Sequence, residues 1–148
     1  MVGKDRILIR CVKKQDAEAI ARIDAAIQKR PSPVDFKRIA SEEVKRTVDA
    51  SFVAEIKGKI VGFMISYITY GSFGADRCAW IAMFGVDPKW MGQGIGKRLA
   101  EEIFKVYKAK GITEVFTSVQ WDATDILSFF KTLGFERSNF INLWKKLE

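Results

Sequence analysis

A glycine-rich stretch at residues 86–99, VDPKWMGQGIGKRL, constrains the fold more than any other part of the chain. Glycines stand at positions 92, 94 and 96, between an apolar run that ends at Val86 and a basic, amphipathic run. Glycine tolerates positive φ and close approach to the main chain, and the first N–H groups of a helix have no acceptors within it. A strand, a glycine turn and a helix in this order therefore predict a binding site for an anion such as a phosphate.

Two other glycine-rich phosphate motifs do not fit the spacing. The dinucleotide fingerprint would need glycine where Lys97 stands, and the P-loop would need glycine at Met91 and a hydroxyl residue at Arg98. A turn that only requires small residues remains an alternative. The cations at 97 and 98 favour an anion site, because positive charge in a first turn opposes the helix dipole unless an anion offsets it.

Length and composition narrow the class of protein. The 148 residues, 48% of them hydrophobic, suit a single domain over 1–148. The net charge of +7 favours phosphates, nucleic acid or acidic ligands as partners, or simply a well-solvated surface. The chain has no histidine, and Cys11 and Cys78 lack CxxC spacing, so we expect no metal site and two buried free thiols.

Nothing in the sequence predicts a membrane span. The longest apolar runs, such as 60–65, have the length of strands, and residues 1–6 contain no apolar signal core. We therefore expect a cytoplasmic protein.

The apolar periodicity predicts the order β, α, α, β, β, β, α, β, α, β, which is a mixed α/β sheet with helices on its faces. Asp16 is expected to cap the first helix, and Val48 to face inward at the end of the second. The predicted strands are 6–12, a hairpin over 51–68 that turns at Lys57-Gly58, 78–86, 112–119 and 140–147. The predicted helices are 16–29, a stretch between 34 and 48, 95–110 with Gly111 just past its end, and 123–133.

Two segments resemble one known family. Residues 84–99 look like the pyrophosphate-binding segment of the GNAT superfamily of acetyl-CoA-dependent N-acetyltransferases, and residues 125–136, DILSFFKTLGFE, resemble its second signature. The order of elements from residue 6 to 148 is also similar. The resemblance implies a single-domain, splayed central sheet, with acetyl-CoA wedged between the strands at 78–86 and 112–119.

The resemblance also assigns roles to residues. It implies that main-chain amides of residues 91–96, which we call the cradle, hold the pyrophosphate. It implies that the main chain at Phe84 and Val86 pairs with the pantetheine arm, and that the amide of Phe84 polarises the thioester oxygen. Lys97, Arg98 and Lys131 are either phosphate contacts or ordinary surface cations. The implied cofactor-binding set comprises Phe84, Gly85, Val86, Met91, Gly92, Gln93, Gly94, Ile95, Gly96, Lys97, Phe130 and Lys131.

The sequence departs from the family pattern where acid and base groups are usual. Phe130 stands in place of a tyrosine that would protonate the departing thiolate, and Trp80 and Ser118 stand where some members carry a carboxylate base. Asp122 is the remaining catalytic candidate, with the N-cap of the following helix as the alternative. Other candidates for proton transfer are Glu55, Tyr67 and Tyr70. The remaining departures are Met91 for arginine or glutamine and Ala123 for asparagine.

The sequence-based hypothesis is direct transfer of acetyl from acetyl-CoA to a primary amine of a small molecule, peptide or protein in a ternary complex. Phe73, Trp90 and Trp121 either shape the acceptor groove or are scattered surface aromatics. The alternative is a weakly active or inactive CoA-binding regulatory module. A nucleic-acid binder rests on charge alone and is disfavoured. We expect a monomer or homodimer.

Overall fold

The computed structural model describes residues 6–45 and 50–148, and its elements follow the predicted order as far as the last helix. Val48, predicted to face inward from the second helix, lies outside the described residues. The strands are β1 Ile7–Cys11, β2 Phe52–Ile56, β3 Lys59–Tyr70, β4 Arg77–Val86 and β5 Val115–Thr117. The helices are α1 Ala17–Gln28, α2 Phe36–Lys45, α3 Ile95–Ala109 and α4 Thr124–Thr132.

The strands form one sheet in the order β1-β2-β3-β4-β5. The first four are antiparallel to their neighbours, and β5 runs parallel to β4. The β2–β3 hairpin turns at Lys57 and Gly58, whose φ angles of 50° and 80° both lie in the left-handed region that such a two-residue turn requires. The mixed sheet confirms the predicted α/β class, and the hairpin lies where its turn residues predicted it.

Helices cover both faces of the sheet. Phe63 of β3 belongs to the core cluster with Ile23 of α1 and Phe36 of α2. Its neighbour Gly62 instead faces Ile95 of α3. Because successive strand residues point to opposite faces, α1 and α2 pack on one face and α3 on the other. This arrangement places the glycine turn, which begins α3, at the end of β4.

The start of α1 differs in detail from the prediction. Asp16 occupies the N-cap position, but its carboxylate does not cap the helix. It accepts two hydrogen bonds from Arg10 at 2.8 and 2.9 Å and one from the N–H of Lys13 at 2.7 Å. Burial acts to raise the pKa of Asp16, but these bonds outweigh it and hold the pKa below its ordinary value. Asp16 therefore joins β1 to the turn before α1.

The chain divides into two compact units at Thr117 and Ser118, and the second unit contains α4 and the C-terminal residues. The strand predicted over 140–147 is wrong, since these residues have no regular structure and are exposed. The predicted strand 112–119 is also shorter than expected, because only Val115–Thr117 pairs with β4. A single domain over 1–148 stays a prediction.

Both cysteines are free, as predicted. Cys78 is buried, but Cys11 is exposed because it ends β1 at the edge of the sheet, so the prediction of two buried thiols is wrong for Cys11. Among the helices in the described residues, none is long and apolar enough to cross a membrane.

Candidate functional site

A β-bulge in β4 changes which main-chain groups face each side of the strand. Ile65 pairs with Met83, whereas the next residue of β3, Ser66, pairs with Ile81, so Ala82 is an extra residue in β4. Before the bulge, the N–H of Ala79 points toward β5 and donates to the Glu114 carbonyl at 3.0 Å. After Ala82, the main-chain groups of successive residues again point alternately toward β3 and away from it, but shifted by one residue.

The register after the bulge fixes the direction of two predicted site residues. The N–H of Asp87 donates to the carbonyl of Val61 at 2.8 Å. Because hydrogen-bonded and non-hydrogen-bonded pairs alternate in an antiparallel ladder, the N–H and C=O groups of Phe84 and Val86 point away from β3. They therefore point to the side of β4 on which β5 lies.

The pairing of β4 with β5 ends before it reaches these groups. The last pair is Ile81 with Thr117, and the hydroxyl of Thr117 donates to the carbonyl of Ile81 at 2.9 Å. β4 continues to Val86, five residues beyond this pair. β5 itself ends at Thr117, so the main chain that the family resemblance assigns to pantetheine binding lies beyond the paired part of the two strands.

Asp87 connects the end of β4 to the glycine turn, a role that the sequence reasoning missed. Its carboxylate accepts a hydrogen bond from the N–H of Lys89 at 3.0 Å, and its carbonyl accepts one from the N–H of Trp90 at 2.8 Å. These bonds cap a short 3₁₀ helix over Pro88–Trp90. An aspartate directly before a proline at the first helical position is the local signal that could have indicated this cap.

The cradle has the backbone geometry that its glycines predict. Gly92 and Gly94 have φ of 80° and 78°, and a Cβ placed at either would meet no atom within 4 Å. Gly94 caps α3, and its carbonyl accepts the N–H of Arg98 at 3.2 Å. Ile95 is buried, whereas Met91 is exposed. The start of this 15-residue helix therefore presents main chain to open space, with an apolar anchor below it.

The two cations after the turn point to different places. Lys97 is exposed, and its Nζ lies 4.0 Å from Glu101 on the next turn. Arg98 is half-buried and donates a hydrogen bond to the carbonyl of Ile7 in β1 at 2.8 Å. The structure thus directs Arg98 to the sheet, which the sequence did not predict, and leaves Lys97 at the surface beside the cradle.

Three predicted residues lie in the second unit. Phe130 is buried, and its ring packs edge-on against Phe129 and Phe135 at centroid distances of 5.2 and 5.0 Å. Lys131 and Asp122 are exposed. The N-cap of α4 is Ala123, so the capping alternative for Asp122 is wrong. The carbonyl of Asp122, rather than its carboxylate, accepts the N–H of Thr124 at 3.0 Å.

Aromatic side chains form a cluster at the middle pair of β4 and β5. Trp80 pairs with Phe116 across the two strands, and the ring of Phe73 stacks on both, with centroid distances of 5.7 and 4.2 Å. Phe73 therefore belongs to a ring cluster with Trp80 and Phe116, whereas Trp121 is an exposed aromatic residue.

Two of the other proton-transfer candidates have defined surroundings. Glu55 accepts a hydrogen bond from Nε of Arg10 at 2.8 Å, so its carboxylate belongs to an ion pair. Tyr70 is 68% exposed at the end of β3. In the described part of the chain, no group of three or more histidine, cysteine, aspartate or glutamate residues could hold a metal.

Comparison with known proteins agrees with this geometry. The sequence model of the Acetyltransferase (GNAT) family matches residues 17–135. The chain is 28% identical over 134 residues to mycothiol acetyltransferase of Amycolatopsis mediterranei, covering 85% of the chain and 44% of that protein. It is 33% identical over 107 residues to an uncharacterized N-acetyltransferase of Methanocaldococcus jannaschii, covering 70% and 46%. The chain thus spans less than half the length of these relatives.

Solved structures share the fold. An aminoglycoside acetyltransferase from an uncultured soil metagenomic sample superposes with a TM-score of 0.80 at 23% identity, covering 98% of this chain and 99% of that one. A likeness at this identity bears on the fold alone.

Proposed function

Because the chain belongs to the acetyltransferase (GNAT) family, we propose that it transfers the acetyl group of acetyl-CoA to a primary amine. The observation that carries the proposal is the continuity of β4 with the cradle. The main chain of Phe84 and Val86 points to the side of β4 on which β5 lies, beyond the last pair of the two strands, and Gly92 and Gly94 open the start of α3 a few residues later. One extended ligand with a polar arm and a pyrophosphate matches this sequence of main-chain groups.

The cradle would bind the pyrophosphate through main-chain N–H groups of residues 91–96. First-turn amides carry partial positive charge and lack acceptors within the helix. An anion would therefore both accept their hydrogen bonds and offset their charge. The positive φ of Gly92 and Gly94 keeps side chains away from this surface. The exposed ammonium of Lys97 would add charge attraction, and the anion would offset its unfavourable position at a helix N-terminus.

Phe84 and Val86 would align the pantetheine arm as an added strand beside β4. This pairing would bring the thioester carbonyl to the N–H of Phe84. A preorganised donor of this kind stabilises the developing oxyanion by roughly 3 kcal/mol relative to a site without it. The main chain would therefore supply the principal catalytic contribution.

The amine would attack the thioester directly in a ternary complex. The nitrogen forms the new C–N bond, the C–S bond breaks, CoA leaves as the thiolate, and the amine loses a proton. Only a neutral amine has a lone pair: an α-amine with a pKa near 8 is roughly a tenth neutral at pH 7, but a lysine amine with a pKa of about 10.4 is neutral in only about one molecule in two thousand. The α-amine of a peptide or a low-pKa amine of a small molecule is therefore the favoured acceptor.

Proton transfer would depend on Asp122 or on solvent. Asp122 would accept the amine proton directly or through one water. Position 130 offers no donor for the thiolate, because Phe130 carries no hydroxyl, so solvent would protonate it. In this proposal the protein is a cytoplasmic monomer or homodimer.

A CoA-binding regulatory module is the second candidate function. It is favoured by the apolar surroundings of Phe130 and by the stacked ring of Trp80, since both positions carry acid or base groups in some members of the family. Such a module would bind CoA at the same cradle without turnover.

One assay separates the two functions. The protein is incubated with acetyl-CoA and a panel of α-amino peptides, lysine side-chain amines and aminosugars, and free thiol is measured against a reaction without amine. Amine-dependent thiol release, strongest for the low-pKa amines, is expected. Tight CoA binding without amine-dependent release would support the regulatory module instead.

A further inference from the structure

A buried circuit of hydrogen bonds among Ala50, Ser66 and Tyr107 joins α3 to the sheet. The N–H of Ala50 donates to the hydroxyl of Tyr107 at 3.0 Å, and the hydroxyl of Ser66 donates to the carbonyl of Ala50. The hydroxyl oxygens of Tyr107 and Ser66 lie 2.9 Å apart. Because the single hydroxyl proton of Ser66 goes to Ala50, Tyr107 donates to Ser66. All three residues are buried, so these polar groups depend on one another rather than on solvent.

Tyr107 gives α3 a second point of attachment to β3. The first is the contact of Ile95 with Gly62 at the start of the helix, and Tyr107 bonds Ser66 near its end. Between these contacts α3 rises about 18 Å, and β3 advances about 13 Å in the same direction. An apolar contact alone allows a helix to slide or rotate, whereas a hydrogen bond has a preferred direction. The bond from Tyr107 therefore fixes the axial position of α3 on β3.

Ser66 lies at the step of β3 where the register changes across the bulge. On the side of β3 away from β4, its N–H donates to the hydroxyl of Ser51 at 3.0 Å, and that hydroxyl donates to Glu43 of α2 at 2.8 Å. On the face toward α3, the side chain of Ser66 belongs to the circuit. Ser66 is thus held from two directions, and the bulge beside it directs the N–H of Phe84 away from β3. The position of Ser66 therefore sets the position of that donor.

We propose that the bond between Tyr107 and Ser66 sets the spacing between the cradle, at the start of α3, and the N–H of Phe84. The inference rests on the proposed function, in which one CoA molecule binds both places. An extended pantetheine arm has a fixed length, so both ends of CoA bind well only when the two places lie at the matching distance. A misplacement of about 1 Å can cost roughly 10²-fold in rate. Tyr107 and Ser66 are positioning residues, because they act through α3 and the bulge rather than by touching the reacting atoms.

Calorimetry with CoA and with 3′-phospho-ADP, which is CoA without its pantetheine arm, tests the spacing. The fragment reaches only the cradle, whereas CoA must reach both places. In Tyr107→Phe, which keeps the ring and loses the hydroxyl, the dissociation constant of CoA should rise about 10-fold and that of the fragment should stay within about twofold. Turnover of acetyl-CoA should fall roughly 10- to 100-fold. Ser66→Ala should behave in the same way, and the double variant should lose no more than the weaker single variant, because both changes remove one bond.

Thr69→Val is the matched control. Thr69 also carries a part-buried hydroxyl on β3, but this hydroxyl lies 2.9 Å from Sγ of Cys78 on β4 rather than against α3, so its loss should leave both affinities unchanged. The same selective loss of CoA affinity in Thr69→Val would overturn the proposal. An equal loss of CoA and fragment affinity in Tyr107→Phe, or wild-type CoA affinity in the folded variant, would also overturn it.

Two further outcomes are distinguishable. The expected difference between CoA and fragment, in a protein without amine-dependent thiol release, would support the spacing and contradict the proposed acetyl transfer. If Tyr107→Phe fails to fold by circular dichroism, the same comparison in Ser66→Ala decides.

Discussion

Gly62 of β3 lies directly against Ile95, the first residue of α3, so that a Cβ at position 62 would come within 2.9 Å of Ile95 Cγ2. The same Cβ would lie 3.4 Å from Leu99 one turn later. Both side chains are buried and have little room to move. Because Gly62 has no side chain, the start of α3 can lie close to β3, and this contact fixes the position of the cradle that precedes it.

Gly62→Ala is expected to displace the start of α3. Overpacking of this kind costs about 1–3 kcal/mol, so the free energy of unfolding should fall by that amount in urea titrations. CoA affinity measured by calorimetry should fall as well, because the cradle residues follow the helix. Ile23→Val on the opposite face is the control: it should cost about 1 kcal/mol but leave CoA affinity unchanged. Wild-type CoA affinity in a destabilised Gly62→Ala would contradict this role for Gly62.

Phe130→Tyr tests whether the site tolerates a hydroxyl donor. If thiolate departure proceeds without a side-chain acid at this position, tyrosine should restore a donor and turnover should not fall. Phe130→Ala should instead act through packing, with an expected loss of about 3–5 kcal/mol in stability and weaker CoA binding. Steady-state kinetics and CoA titration of both variants provide the measurement. A Phe130→Tyr protein that folds and binds CoA but has no activity would show that the site requires an apolar group there.

Asp122→Asn tests the proposed base. General-base catalysis is typically worth 10²- to 10⁴-fold, so turnover should fall by roughly that factor while CoA affinity is preserved. Because Ala123 occupies the N-cap position of α4, the Asp122→Asn substitution removes no helix cap, and a change in turnover cannot be attributed to one. Asp125→Asn is the matched control, an exposed carboxylate in the first turn of the same helix, and should leave turnover unchanged. Near-wild-type turnover in Asp122→Asn would remove it from the mechanism and leave the proton to solvent.

Asp16→Asn should lower stability in a pH-dependent way. The pKa of Asp16 is below its ordinary value of 3.8 in the folded protein, so its ionised form stabilises the fold above that pH. This stabilisation is lost as the pH falls through the folded pKa. The variant should therefore be less stable than wild type by about 2 kcal/mol at pH 7, and the two should converge in acid.

Urea unfolding of Asp16→Asn at several pH values is the appropriate measurement. Asp35→Asn serves as the control, because Asp35 caps the N–H of Arg38 at an exposed site where asparagine caps equally well. If the difference in unfolding free energy between wild type and Asp16→Asn stayed constant down to the lowest pH, the charge of Asp16 would not be the cause of its stabilising effect.

Local signals predicted the parts of the fold that depend on neighbouring residues in the chain. The hairpin turn at Lys57-Gly58 and the glycine turn before α3 both require positive φ, and glycine marks such positions in the sequence. The apolar residues from Ile95 to Ile103 recur at the helical period and likewise predict α3. They lie on one face of the helix, and that face is buried.

Features that depend on distant partners could not be predicted in this way. The carboxylate of Asp16 binds Arg10 rather than capping α1, and Arg98 binds the carbonyl of Ile7, 91 residues away. The bulge at Ala82, which turns Phe84 and Val86 away from β3, becomes visible only in the register of two strands. Residues 140–147 have the apolar pattern of a strand, but a strand also needs a neighbour to pair with, and the pattern does not identify one.

CoA binding to Gly94→Val, measured by calorimetry beside Gly74→Val, tests the central claim most directly. Both glycines have positive φ, 78° and 71°, and a Cβ at either would meet no atom within 4 Å, so the two substitutions impose similar backbone strain. Only Gly94 lies in the cradle. We expect Gly74→Val to bind CoA like wild type and Gly94→Val, folded by circular dichroism, to show no measurable binding. Unchanged CoA affinity in folded Gly94→Val would contradict the assignment of the cradle.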